Sequence, residues 1–68
     1  MNKEQIRIVR GRLEDFATNY QFAENDIERF NTDTHAYSFI DMIAGRLSEE
    51  ERDYWKQYYE ELKESEKE

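Results

Sequence analysis

The side chain best suited to acid–base work in this chain is its single histidine, His35, with Asp33 two residues before it. A nucleophilic serine activated by such a pair sits on a sharp glycine-framed turn, and no serine here has glycine neighbours. His35 therefore reads as a surface or half-buried helix residue. Carboxylates abound, with 17 acids in 68 residues. An acid–base pair needs two carboxyls in contrasting environments, so that their pKa values separate, and nearly all the acids fall on the solvent faces of the predicted helices. Glu49–Arg52, Asp53–Lys56, Glu60–Lys63 and Glu64–Lys67 are spaced i, i+3 with the acid first. That spacing supports an exposed helix by a few tenths of a kcal/mol per pair.

Metal and phosphate chemistry lack their residues. With no cysteine and one histidine, the usual zinc ligand sets cannot be assembled. A calcium loop counted from Asn31 places Asp33 and His35 at alternate positions, but has Ala36 where the turn needs glycine and Met42 where a bidentate glutamate belongs. Gly11 and Gly45, the two glycines, cannot build a phosphate-cradling loop. No catalytic, cofactor or metal residue is expected, and the chain reads as non-enzymatic.

Charge and aromatic rings are what remain. The formal charge is −7, unevenly spread: residues 1–12 carry +3, while residues 13–47 and 48–68 carry −5 each. Lys3, Arg7 and Arg10 form one basic line at i, i+4, i+7 on an otherwise acidic body. A helix-turn-helix sketched from residues 26–46 would bring only His35 and Arg46 toward DNA, whereas a recognition helix needs several Arg, Lys, Asn or Gln. A DNA-binding regulator is thus a weak fit. The opposite arrangement fits better: Glu60, Glu61 and Glu64, with the Glu49–Asp53 row, offer a sparse version of the charge ladder of a nucleic-acid duplex. An acidic inhibitor of this kind would occupy a basic groove on a partner protein.

The densest aromatic stretch is Ser48–Leu62, which holds the one tryptophan and three of the five tyrosines. At about 100° per residue, Tyr54, Trp55, Tyr58, Tyr59 and Leu62 share a sector roughly 140° wide, and charged residues fill the rest. Most of this face is expected to be core. Tyr54 and Tyr59 stand at its margins, and Tyr and Trp are the residues interfaces rely on most. Partner contact is accordingly expected at Tyr54, Trp55, Tyr58 and Tyr59, with Lys3, Arg7 and Arg10 as a charged contact line.

The elements that must position these residues are helices throughout, because period-two alternation is missing. Asn2 with Gln5, Asn25 with Glu28 and Ser48 with Glu51 have capping-box spacing, in which paired side chains satisfy backbone N–H groups at a helix start. The pattern predicts an all-α bundle of three main helices, about 3–20, 34–46 and 48–64, plus a short one at about 26–31. The first buries Ile6, Val9, Leu13, Phe16, Ala17 and Tyr20, with Ile8 pointing away and Gly11 either tolerated or admitting a close neighbour. Phe22 is expected to tuck inward from the following turn, and Ile27 and Phe30 to face the core. Asn31-Thr-Asp-Thr34 favours a break, since such side chains bond their own backbone; one continuous helix from Asp26 to Arg46 is the alternative. The second main helix turns Ala36, Tyr37, Phe39, Ile40, Ile43, Ala44 and Leu47 inward and ends at Gly45.

Residues 1–64 make one domain, with 65–68 as a frayed acidic tail. Ten aromatic residues argue for a folded rather than a disordered chain. At this size stability is marginal, and without disulfides or metal the common remaining support is association. Charges interrupt every stretch after Met1, and none approaches the roughly 20 apolar residues needed to cross a bilayer. The expectation is a cytoplasmic, acidic interaction or regulatory module that binds another protein or a second copy of itself, with neither membrane nor nucleic acid as partner.

Overall fold

The computed structural model describes residues 2–43 and 48–65. They form three α-helices packed pairwise against one another: α1 (Lys3–Phe22), α2 (Asp26–Ile43) and α3 (Glu49–Ser65). The expected all-α bundle is therefore the fold.

Each helix starts where its cap predicts. The Asn2 side chain accepts from the Gln5 N–H at 2.8 Å while the Asn2 N–H donates to the Gln5 side chain at 3.1 Å, a complete capping box. Asn25 accepts from the Glu28 N–H at 2.9 Å, but the Glu28 carboxylate reaches back to the N–H of Glu24. Ser48 accepts from the Glu51 N–H at 3.1 Å. Between α1 and α2 the chain turns at Ala23, whose N–H donates to the Tyr20 carbonyl at 3.3 Å.

The core takes one apolar stripe from each helix: Val9, Leu13 and Ala17 from α1, Ala36 and Ile40 from α2, Trp55 and Tyr59 from α3. Ile6, Phe16, Tyr37, Phe39, Ile43, Tyr58 and Leu62 pack around them, with the Phe16 and Phe39 rings 6.0 Å apart. Ile8 points outward as its register requires.

Three expectations need correction. The break at Asn31–Thr34 does not occur, so the short helix at 26–31 and the helix at 34–46 are one element, α2, described as far as Ile43. The hydroxyls of Thr32 and Thr34 donate to the carbonyls of Glu28 and Phe30, both at 2.9 Å, and so satisfy themselves inside the helix rather than capping a new one. Second, continuity fixes the register. Ile27 lies nine residues before Ala36, two and a half turns at about 100° per residue, and so faces directly away from the core. Ile27 and Phe30 are exposed rather than buried. Third, α1 continues through Phe22, which carries that ring out of the apolar stripe and into solvent. Ala44, Gly45 and Leu47, and the acidic tail 66–68, lie outside the described residues.

Gly11 serves no close approach: a Cβ built there meets nothing within 4 Å, and the backbone has no positive φ. Alanine is about 0.5–1 kcal/mol better than glycine within a helix. Gly11→Ala is expected to raise Tm by roughly 2–8 °C in a domain this small, as thermal circular dichroism would record. A lower Tm would mean that the glycine has a packing role.

Candidate interaction surface

The residues expected to make contact divide into buried and exposed groups. On α3, Trp55 is 4% exposed and Tyr59 is fully buried, Tyr58 is half-buried, and Tyr54 is 53% exposed. Tyr59 is thus at the centre of the core rather than at a margin. The helix is rolled about its axis so that Tyr59 and the next inward turn face the bundle, leaving Tyr54 on the open side. The rings are linked edge-to-face: Tyr54 to Trp55 at 5.0 Å, Trp55 to Tyr58 at 5.6 Å, and Tyr59 to Tyr37 of α2 at 5.6 Å. Such pairs prefer this geometry because the positive ring edge meets the negative face.

Part of the basic line joins this cluster. The Arg10 guanidinium lies 6.0 Å from the centre of the Tyr58 ring. With Ile6, Glu51, Tyr54 and Trp55 it lines a shallow groove of about 250 Å³. Arg7 and Lys3 are exposed one and two turns away, beside Glu4. Of the acids, Glu60 is ion-paired to Lys63, Glu61 accepts from Gln57 at 3.4 Å, and Glu64 is exposed.

The inward roll of α3 carries a charged residue into the core. Lys63 is 8% exposed. Its Nζ donates to the Asp33 carboxylate at 3.0 Å and pairs with Glu60. It also stands 4.4 Å and 4.7 Å from the ring centres of Tyr20 and Tyr59. The Tyr59 hydroxyl donates to the same Asp33 oxygen at 2.8 Å, and the Gln21 side-chain amide donates to the Lys63 carbonyl. Sequence reasoning placed Lys63 on the solvent face and Asp33 in a turn. The available signal was spacing: Lys63 follows Tyr59 by four residues and Trp55 by eight, extending the buried stripe by one turn.

The network holds its protons firmly. Burial, then the charge of Glu60, pushes the Tyr37 phenol up to about 12. Burial and the hydrogen bond to Asp33 push Tyr59 up further, and burial and the charge of Glu14 raise Tyr58. Burial alone would lower Lys63, but its bonds to Glu60 and Asp33 outweigh this and raise it. None of these shifts moves a group toward neutrality, where proton transfer is most effective. Folded pKa values above the unfolded ones mean that the folded state holds protons longer. The corresponding stability is complete below about pH 10 and is lost as pH rises through the folded values. Tm should therefore fall between about pH 10 and about pH 12, with Tyr37→Phe reducing the slope. A Tm independent of pH across that window would contradict the network.

The largest exposed apolar side chains lie elsewhere. Phe22, Ile27, Phe30 and Met42 are 81%, 73%, 70% and 65% exposed. Three of them are on α2, exposed among Asn31, Thr34, His35 and Ser38 and the acids Asp26, Glu28 and Asp41. Between α1 and α2, Gln5, Ile8, Val9, Phe39 and Ile43 line a groove of about 230 Å³. Among the described residues no group of three metal-ligating side chains comes together, and no helix is long and apolar enough to cross a membrane. No known protein family, curated protein or solved structure matches this chain.

Proposed function

We propose that this chain is a non-enzymatic interaction module that works by binding another protein, and that its main contact surface is the outer face of α2. The observation that carries this reading is the exposure of Ile27, Phe30 and Met42 in a chain only 68 residues long. Single exposed apolar residues are ordinary, but three large ones on one helix, Ile27, Phe30 and Met42, mark a surface that a partner covers. Tyr54 and Arg10 supply a smaller polar–aromatic contact, with Lys3 and Arg7 extending its charge. Trp55, Tyr58 and Tyr59 support that contact from within rather than touching the partner.

The double substitution Ile27→Lys, Phe30→Lys tests the assignment. Both side chains already face water and lysine is a good helix former, so helicity should persist. Proximity labelling in the source cell should then lose the neighbours that the unaltered chain labels. An unchanged set of labelled neighbours would overturn the reading.

A second reading, an acidic mimic seated in a basic groove, draws support from the exposed row Glu49, Glu50, Asp53, Glu60, Glu61 and Glu64 along α3. Such binding weakens steeply with salt. Glu61→Gln with Glu64→Gln should then do more harm than the α2 substitutions; Glu60 is less informative because it also holds Lys63. A DNA-binding regulator has only Lys3, Arg7 and Arg10 in its favour, and Glu4 interrupts them.

A further inference from the structure

The outer face of α2 has a shape as well as exposed apolar side chains. Side chains four residues apart on a helix form ridges, with grooves between them. Phe30, Thr34, Ser38 and Met42 make one ridge and Ile27, Asn31 and His35 the next, and every one of them is exposed. The groove between them is lined by large apolar side chains at its ends, Ile27 and Phe30 at one and Met42 at the other. Smaller ones line the middle, and the Thr34 hydroxyl is already bonded to the Phe30 carbonyl at 2.9 Å. A helix packs into such a groove. A strand would find no sheet edge to pair with among the described residues, which form helices.

Acids stand at both ends of the groove. Glu28 follows Ile27 and Asp41 precedes Met42, and both are exposed. At about 100° per residue the two carboxylates fall on opposite flanks. Asp26 is exposed as well, and the half-buried Arg29 pairs with it at 2.7 Å. No lysine or arginine of α2 is exposed to the same degree as these acids. Asp26 and Glu28 also serve the first turn of α2, where the helix dipole favours negative charge. Asp41 has no such use. It lies in the last described turn of α2, where the dipole disfavours a carboxylate and no base is present. None of the ion pairs among the described residues includes it.

Resting on the interaction reading above, we infer that the outer face of α2 receives a basic amphipathic helix of another protein. Its apolar side chains fill the groove, and its Lys or Arg side chains meet Asp41 at one end and Glu28 at the other. A second copy of this chain would instead set these acids against their own kind, which is costly. A nucleic acid or an anionic lipid surface is repelled by the charge of −7. From Ile27 to Met42 the face runs about 22 Å at 1.5 Å per residue, so a partner helix of about 15 residues covers it. A contact of that length buries on the order of 1,000 Å² in total and binds on the order of micromolar. Salt screens the charge attraction and so weakens it.

Isothermal titration calorimetry with a synthetic helix of about 18 residues tests the inference. Leucines at i, i+3, i+4 and i+7 give the probe one apolar face, and lysines fill the rest. One control has the same residues in an order without an apolar face; the other has glutamate in place of lysine. The Leu/Lys helix should bind on the order of micromolar, and about 10-fold or more weaker at about 0.5 M salt than at about 0.05 M. Neither control should match it. Phe30→Lys and Met42→Lys should each weaken binding by about 10-fold or more, while circular dichroism shows unchanged helicity. Glu28→Gln with Asp41→Asn should weaken it by about 5-fold and flatten the salt dependence; an amide oxygen still accepts the Glu24 N–H at the first site. Glu61→Gln with Glu64→Gln removes the same charge from α3 and should change affinity less than about 2-fold. Failure of the Leu/Lys helix to bind would overturn the inference, as would equal binding of the shuffled control. So would a larger loss from the α3 pair than from the α2 pair. If the probe fails to bind while Ile27→Lys, Phe30→Lys still loses its labelled neighbours, the basic helix is the wrong occupant and the interaction reading stands. Unchanged neighbours in that variant would overturn both.

Discussion

Tyr59→Ala is expected to leave the chain largely unfolded at room temperature. Tyr59 is one of the largest fully buried side chains and packs between α1, α2 and its own helix. Truncating a large buried aromatic to alanine costs about 3–5 kcal/mol, from lost transfer energy and the cavity left behind. A domain of this length has a total stability of roughly 3–10 kcal/mol, so the loss consumes much or all of it. The substitution also removes the hydroxyl that donates to Asp33. Tyr59→Phe isolates that part: the ring stays, the hydrogen bond goes, and the cost should be about 1–2 kcal/mol. Urea unfolding followed by Trp55 fluorescence measures both. If Tyr59→Ala lost less than about 1 kcal/mol, the placement of α3 would be wrong.

Asp33→Ala is the second large effect, and its cause is electrostatic. The alanine leaves the Lys63 ammonium covered, with its side chain only 10% exposed, facing two rings and Glu60 alone. Breaking a buried pair by removing one partner costs about 3–5 kcal/mol. Asp33 is 28% exposed and Glu60 remains in place, so a loss of about 2–3 kcal/mol is expected here. Replacing both partners with apolar residues of similar volume, Asp33→Leu with Lys63→Met, should recover most of it, because no buried charge is left unpaired. The cycle distinguishes a buried network from a surface pair: an exposed ion pair would give less than about 1 kcal/mol at every corner.

What could be read from the residues follows from how many roles each residue had open to it. α1 was legible because its apolar positions repeat on one side and Asn2 with Gln5 marks its start. α3 was legible in extent for the same reasons, with Ser48 and Glu51 at its start. α2 was not. Thr32 and Thr34 can cap a helix or bond back within one, and the choice was made by Asp33, which Tyr59 and Lys63 hold from another helix. Once the break is removed, Ile27 and Phe30 change from core to surface through register alone. Phe22 moves out with the two residues by which α1 outruns its expected end. The exposed apolar residues of α2 were therefore hidden by one misplaced boundary.

The roll of α3 was a subtler matter. Its aromatic sector was correctly located, but a wheel centred on hydrophobicity sets Lys63 outside and Tyr59 at the edge. In the fold Lys63 extends the inward stripe because Asp33 and Glu60 neutralise its charge and the rings of Tyr20 and Tyr59 flank it. Spacing sets Lys63 in line with Trp55 and Tyr59, but the partner that makes burial of its charge tolerable is a carboxylate 30 residues earlier, which no local pattern reveals. The consequence for function is direct. Rings expected to greet a partner are spent inside, and Tyr54 alone of the three tyrosines on α3 is left mostly open.

That the aromatic flank of α3 is taken up by the fold is tested most directly through Trp55, the one tryptophan in the chain. Its fluorescence should be recorded in dilute solution, before and after urea unfolding, with acrylamide as quencher. The indole is predicted to emit well to the blue of its unfolded position and to be poorly quenched until the chain unfolds. Emission already at the unfolded wavelength, with full quenching in the native chain, would contradict it.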